Sequence, residues 1–110
     1  MSTAIDHATF ADLQEAAGAE FVAELVDTFL EEAPRMLAEL RHAQADASAA
    51  RFRRAAHSLK SNSNTFGALK LGAMARDLEL GGMISDTAPL DGLEAEYARV
   101  ATALKDLGNG

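Results

Sequence analysis

His57 is the residue whose surroundings most suggest chemistry. From Ala49 to Phe66, the apolar residues Phe52, Ala56, Leu59 and Phe66 recur at helical spacing and define one buried stripe. At about 100° per residue, His57 falls roughly 160° from Leu59, on the side that faces water. Arg53 and Arg54 lie one turn before it, Lys60 and Ser61 one turn after, and Asn64 two turns after. A solvent-facing imidazole ringed by cations and small polar groups is a place to hold an anion.

That basic ring stands against an acidic chain. The 110 residues include 17 Asp and Glu against 10 Lys and Arg, for a formal net charge of −7. Nucleic acid and anionic membranes are therefore not expected as general partners, since phosphate-backbone binding needs clustered cations on a positive field. The length and the 48% hydrophobic content suit a single domain, residues 1–110, around one core. There is no cysteine, which excludes disulfides, thiolate nucleophiles and Cys-based metal sites. The start MSTAIDHATF lacks the basic and apolar regions of a signal peptide, and no apolar run approaches the roughly 20 residues of a membrane span. A cytoplasmic protein is expected.

The elements that must position His57 all read as helices. A short helix is expected over Thr9 to Ala17, stopped at Gly18. Phe21, Val22, Leu25, Val26, Phe29, Leu30, Ala33, Leu37 and Leu40 then predict a long amphipathic helix over about residues 19–44, with Pro34 a point where it kinks or divides in two. Asp46 or Ser48 can cap the helix that carries His57, and Gly67 ends it. Leu69, Leu71, Met74, Ala75 and Leu78 predict a helix from about Ala68 to Leu80, closed by Gly81 and Gly82. Ser85, Asp86 and Thr87 offer cap oxygens for a last helix with Pro89 in its first turn and Leu90, Leu93, Tyr97, Val100, Leu104 and Leu107 on its apolar face. Short connections make neighbours antiparallel. The fold class is all-α: an up-down four-helix bundle with an additional short N-terminal helix.

Several chemistries find no support. The chain has no G-x-S-x-G elbow, P-loop, G-x-G-x-x-G or H-E-x-x-H sequence. His7, His42 and His57 lie in three separate segments with no i, i+4 pair, which speaks against a histidine metal site. Glu39-Leu40-Arg41-His42 supplies one copy of the Glu-x-x-His pattern of di-iron bundles, which require two. His42 fits better in the last turn of the long helix, where a cationic imidazole favours the dipole.

A family resemblance is carried by the segment around His57. The run Ala55-Ala56-His57-Ser58-Leu59-Lys60-Ser61, followed by Gly67-Ala68 and then Leu78-Glu79, resembles the Ala-His-x-Leu-Lys-Gly, Gly-Ala and Leu-Glu pattern of histidine phosphotransfer (HPt) domains. Phe29-Leu30-Glu31-Glu32-Ala33-Pro34 and the run from Leu37 to Leu40 resemble that family's second helix, so the similarity extends over most of the chain. The resemblance implies that His57 is the phosphoacceptor, taking a phosphoryl group on Nε2 from one receiver aspartate and passing it to another. It implies that Lys60 neutralises phosphoryl oxygens and that Glu79 accepts a hydrogen bond from His57 Nδ1, fixing the tautomer. Arg53, Arg54, Ser61 and Asn64 are candidates for phosphate or partner contact, Ser61 standing where the family has Gly. Leu30, Leu80 and Met83 are candidate docking residues.

By the same resemblance the protein is a carrier without its own catalytic site. Mg²⁺ is expected in the receiver, and the partners are receiver domains and a sensor or hybrid histidine kinase, with the chain itself a monomer. Two other readings stand beside this one. The first is an adaptor that binds receivers without being phosphorylated, and the second is a module cut from a hybrid or chemotaxis-type kinase. The initial Met and the Gly-Asn-Gly finish favour a free-standing protein.

Overall fold

The computed structural model describes residues 4–82 and 84–109, with side chains as far as Leu107. Five helices follow one another: α1 (His7–Ala17), α2 (Ala19–Ala45), α3 (Ala49–Thr65), α4 (Leu69–Gly81) and α5 (Ala88–Asn109), with no strand among the described residues. Helices α2 to α5 form the up-down bundle. In it α3 packs on α2 and α4, and α5 on α4 and α2, while α1 lies against α2 and α3. The 27 residues of α2 span about 40 Å at 1.5 Å per residue, which matches the 41 Å long axis of the molecule.

One core runs through the bundle. It is built from Val22, Val26, Phe29, Ala33, Leu37 and Leu40 of α2, Phe52, Ala56 and Leu59 of α3, Leu71, Ala75 and Leu78 of α4, and Leu90, Leu93, Val100 and Leu104 of α5. Each large side chain so buried contributes about 1.5–3 kcal/mol relative to exposure. Two residues assigned to apolar stripes by spacing lie outside it: Phe21 is 52% exposed and Leu69 is 50% exposed. Both sit in the first turns of their helices, beside the fully buried Val22 and Ala68, and turn their side chains to solvent. Periodicity also misses two buried polar residues, Ser63 on α3 and Glu96 on α5.

Pro34 neither ends nor divides α2, which is continuous across it. Proline has no N–H to give the carbonyl four residues earlier, here that of Leu30. The Tyr97 hydroxyl of α5 lies 3.4 Å from this oxygen and gives the freed acceptor a long hydrogen bond. Two arginines tie α2 to its neighbours. Arg41 binds both oxygens of Glu94 and one of Asp91 on α5, and Arg51 at the start of α3 binds both oxygens of Glu39 and one of Asp46. Gln44 Nε2 donates to the carbonyls of Ile84 and Asp86, pinning the α4–α5 loop to the end of α2.

The two turns that flank α3 share one hydrogen-bond pattern but use different residues. After α2, the Ser48 N–H reaches Ala43 O and the Ala47 N–H reaches Gln44 O; after α3, Ala68 N–H reaches Ser63 O and Gly67 N–H reaches Asn64 O. The residue at the left-handed position is Ala47 in the first turn (φ 55°) and Gly67 in the second (φ 84°). At Gly67 the constraint is double. A Cβ there would stand 2.8 Å from Asp6 O and 3.1 Å from Thr9 Cβ, because the N-terminal segment crosses this turn with Asp6 N–H on Gly67 O. Asp6 in turn caps α1 by accepting from the Thr9 N–H.

Opposite substitutions at these turns should have opposite signs. Ala47→Gly relieves a left-handed alanine and should raise stability by up to about 1 kcal/mol. Gly67→Ala introduces that strain and a backbone clash, and should lower stability by more than about 1 kcal/mol. Urea denaturation of both variants checks the pair.

Candidate functional site

Helix α3 begins at Ser48, whose side chain accepts from the Arg51 N–H, and its Ala56 and Leu59 are fully buried. With that face committed to the core, the His57 side chain points outward and is 59% exposed. Helix α4 runs alongside and offers Glu79 from the edge of its own buried stripe, next to Leu78. The Glu79 side chain is only 11% exposed and bridges two residues of α3. Its Oε2 lies 2.6 Å from His57 Nδ1, and its Oε1 accepts a hydrogen bond from Lys60 Nζ at 2.6 Å.

The charge on this bridge sets the state of the imidazole. Lys60 first, and then His57, hold the Glu79 carboxyl below the ordinary glutamate value against the opposing effect of burial. Glu79 is therefore a carboxylate, which can only accept hydrogen bonds. A 2.6 Å contact with Nδ1 then requires the proton on Nδ1, and the lone pair of the neutral ring lies on Nε2. The structure thus brings His57, Lys60 and Glu79 together, with Lys60 seated on the carboxylate that orients the ring.

Two shallow concavities flank His57. One is lined by Ala50, Arg53, Arg54, His57 and Glu79, the other by Arg35, Met36, Glu39, Arg51, Arg54, Ala55 and Ser58. Arg54 borders both. Glu39 and Asp46 neutralise Arg51, whereas Arg35, Arg53 and Arg54 pair with no carboxylate among the described residues. Ser61 is exposed one turn beyond His57, and the Asn64 side chain lies two turns beyond it against Gly72 of α4. Arg35 and Met36 were not among the residues singled out by spacing, because they come from α2 and meet α3 only in the folded bundle. Leu80 is 66% exposed next to Glu79, while Leu30 packs against the core and is a poorer docking residue than its spacing suggested; Met83 lies outside the described residues. His7 and His42 are also exposed, so exposure does not single out His57. The carboxylate partner and the unpaired arginines do.

The arrangement offers a nucleophilic nitrogen, a carboxylate able to stabilise positive charge on the ring, and cations for an incoming anion. Comparison with known proteins agrees with that chemistry. The model of the Hpt domain matches residues 24–103. The crystal structure of histidine-containing phosphotransfer protein B (HptB) from Pseudomonas aeruginosa is similar over 99% of this chain and 97% of its own, with a TM-score of 0.88 and 27% sequence identity. No curated protein matches the chain. No helix among the described residues is long and apolar enough to cross a membrane. With the family's domain spanning most of the bundle, and the site on that bundle, the chain belongs to the Hpt-domain family and is a histidine phosphotransfer protein of phosphorelays.

Proposed function

We propose that His57 is the phosphoacceptor and that this protein carries phosphoryl groups between receiver-domain aspartates. The observation that carries the reading is the Glu79 carboxylate on His57 Nδ1, which leaves Nε2 as the free lone pair on an exposed ring. In the forward step Nε2 attacks phosphorus of an aspartyl phosphate, the N–P bond forms, the P–O bond to the aspartate breaks, and the aspartate leaves as a carboxylate. The ring gains positive charge as it attacks, and Glu79 stabilises that charge through Nδ1–H. The return step to a second receiver is the same exchange reversed.

Lys60, one turn from His57, neutralises phosphoryl oxygens in the transferred state. Arg53 and Arg54 meet the phosphoryl group or the acidic rim of the receiver, with Ser61 and Asn64 as further polar contacts along the same helix. Phosphoryl transfer also needs the developing oxygen charge neutralised, usually by Mg²⁺. Both oxygens of Glu79 are already engaged, and the other charged residues lining the concavity at His57, Arg53 and Arg54, are cations, so we assign Mg²⁺ and the catalytic machinery to the receiver. The protein is then a monomeric, cytoplasmic carrier with no catalytic site of its own, served by a sensor or hybrid histidine kinase upstream.

Incubation with a phosphorylated receiver and Mg²⁺ should add one acid-labile phosphoryl group, read by intact mass, and His57→Gln should abolish it. Binding without any mass gain would instead mark an adaptor. The pH dependence follows from Glu79. Its folded value is depressed, so its contribution to stability is present above the ordinary 4.5 and is lost as pH falls through the lower folded value. The stability difference between the wild type and Glu79→Gln should therefore shrink as pH falls below 4.5 and through the lower folded value, as denaturation midpoints across acid pH will show.

A further inference from the structure

Gly72 is the fourth residue of α4, and its helical backbone does not demand a glycine. Glycine is the least favourable residue for a helix interior apart from proline, so an alanine would serve the helix better. What a Cβ there would meet is the end of the exposed Asn64 side chain, and no α3 backbone atom is among its three nearest neighbours. A Cβ placed at Gly72 would overlap Asn64 Oδ1 and stand 2.8 Å from Asn64 Cγ. Rotation of the Asn64 amide about χ2 leaves Cγ in place. Only a change of χ1, which a helix restricts, or a wider separation of α3 and α4 would remove the overlap.

This contact shares a seam with the site. Asn64 lies seven residues after His57 on α3, and Gly72 lies seven before Glu79 on α4. In an antiparallel pair the two contacts are level with one another, about two turns or roughly 10 Å apart. Ala56 and Ser63 on α3 and Gly72 and Ala75 on α4 are all small and buried, which keeps the helices close between them. The Glu79 carboxylate is held from both sides at 2.6 Å, so its geometry depends on where the α4 backbone stands.

We propose that Gly72 is a positioning residue for phosphotransfer: the close passage of α4 over Asn64 sets the helix separation that brings Glu79 onto His57 Nδ1. The proposal rests on His57 being the phosphoacceptor, and its first readout does not depend on that reading. Imidazole ¹⁵N shifts report which ring nitrogen carries the proton. In the wild type the neutral ring should be protonated at Nδ1. In Gly72→Ala the population should move toward the Nε2–H form, and transfer from a phosphorylated receiver should slow on the order of tenfold.

Asn64→Ala combined with Gly72→Ala removes the overlap and should restore the Nδ1–H tautomer, the readout that does not involve the polar contact of Asn64 itself. A folded Gly72→Ala protein with wild-type tautomer and rate would overturn the proposal, as would a displaced tautomer that the double variant does not return to Nδ1–H. If Gly72→Ala does not fold, the double variant and Asn64→Ala alone decide the matter: both should fold with the wild-type tautomer, and a displaced tautomer in the double variant overturns it. Absence of any phosphoryl group on the wild type, with its tautomer displaced in Gly72→Ala as described, would refute the carrier reading and leave the positioning role of Gly72 standing.

Discussion

The carboxylate of Glu79 works only because two helices hold it against a third charge and a ring at once. A glutamate on a free helix would be solvated and would sample many rotamers, and a histidine beside it would share its proton between both nitrogens. Here α4 is anchored by Leu71, Ala75 and Leu78 in the core, and α3 by Phe52, Ala56 and Leu59, so the two side chains meet with little freedom left to lose. Lys60 completes the bridge from one turn away and keeps the carboxyl ionised. Protonation of Glu79 would remove the acceptor that orients the ring. The seam between α3 and α4 is thus both packing and chemistry.

Charge is distributed to match. Two arginines are consumed internally, Arg41 by Glu94 and Asp91, and Arg51 by Glu39 and Asp46. These pairs lie at least partly in solvent, where a single ion pair contributes little to stability, and they serve mainly to fix how α2 meets α5 and α3. Arg53 and Arg54, which line the concavity holding His57, pair with no carboxylate among the described residues, nor does Arg35 on the adjoining concavity that Arg54 also borders, on a chain of net charge −7. A local positive patch on an acidic body gives an anionic partner one face to approach and repels it elsewhere.

Phosphoryl carriage places opposing demands on a surface. In the role proposed for His57, the imidazole has to be open enough for a partner aspartate to reach it in line, yet held well enough that the attacking nitrogen is the right one. The bundle meets the first demand by exposure of His57 and the second by burial of Glu79, which lies nearly out of solvent behind the ring. In that proposed role, the same openness would expose a phosphoryl group on the ring to water until a partner covered it.

Much of this was legible in the residues themselves. Apolar spacing determined five helices and their approximate limits, cap and turn residues such as Ser48 and Gly67 marked where they change direction, and the outward position of His57 followed from helical geometry alone. These are local properties, encoded in neighbours three and four residues apart. The HPt-like pattern added Lys60 and Glu79 as candidates by resemblance. The fold alone decided that Glu79 bridges both, that Tyr97 answers the carbonyl freed by Pro34, that Arg35 lines a concavity with Arg54, that Phe21 and Leu69 stay outside the core, and that Gly72 of α4 comes to lie against Asn64. Each of these depends on which residue of a distant helix arrives at a given level and separation, and that is set by the packing of whole helices, a quantity that no window of sequence contains.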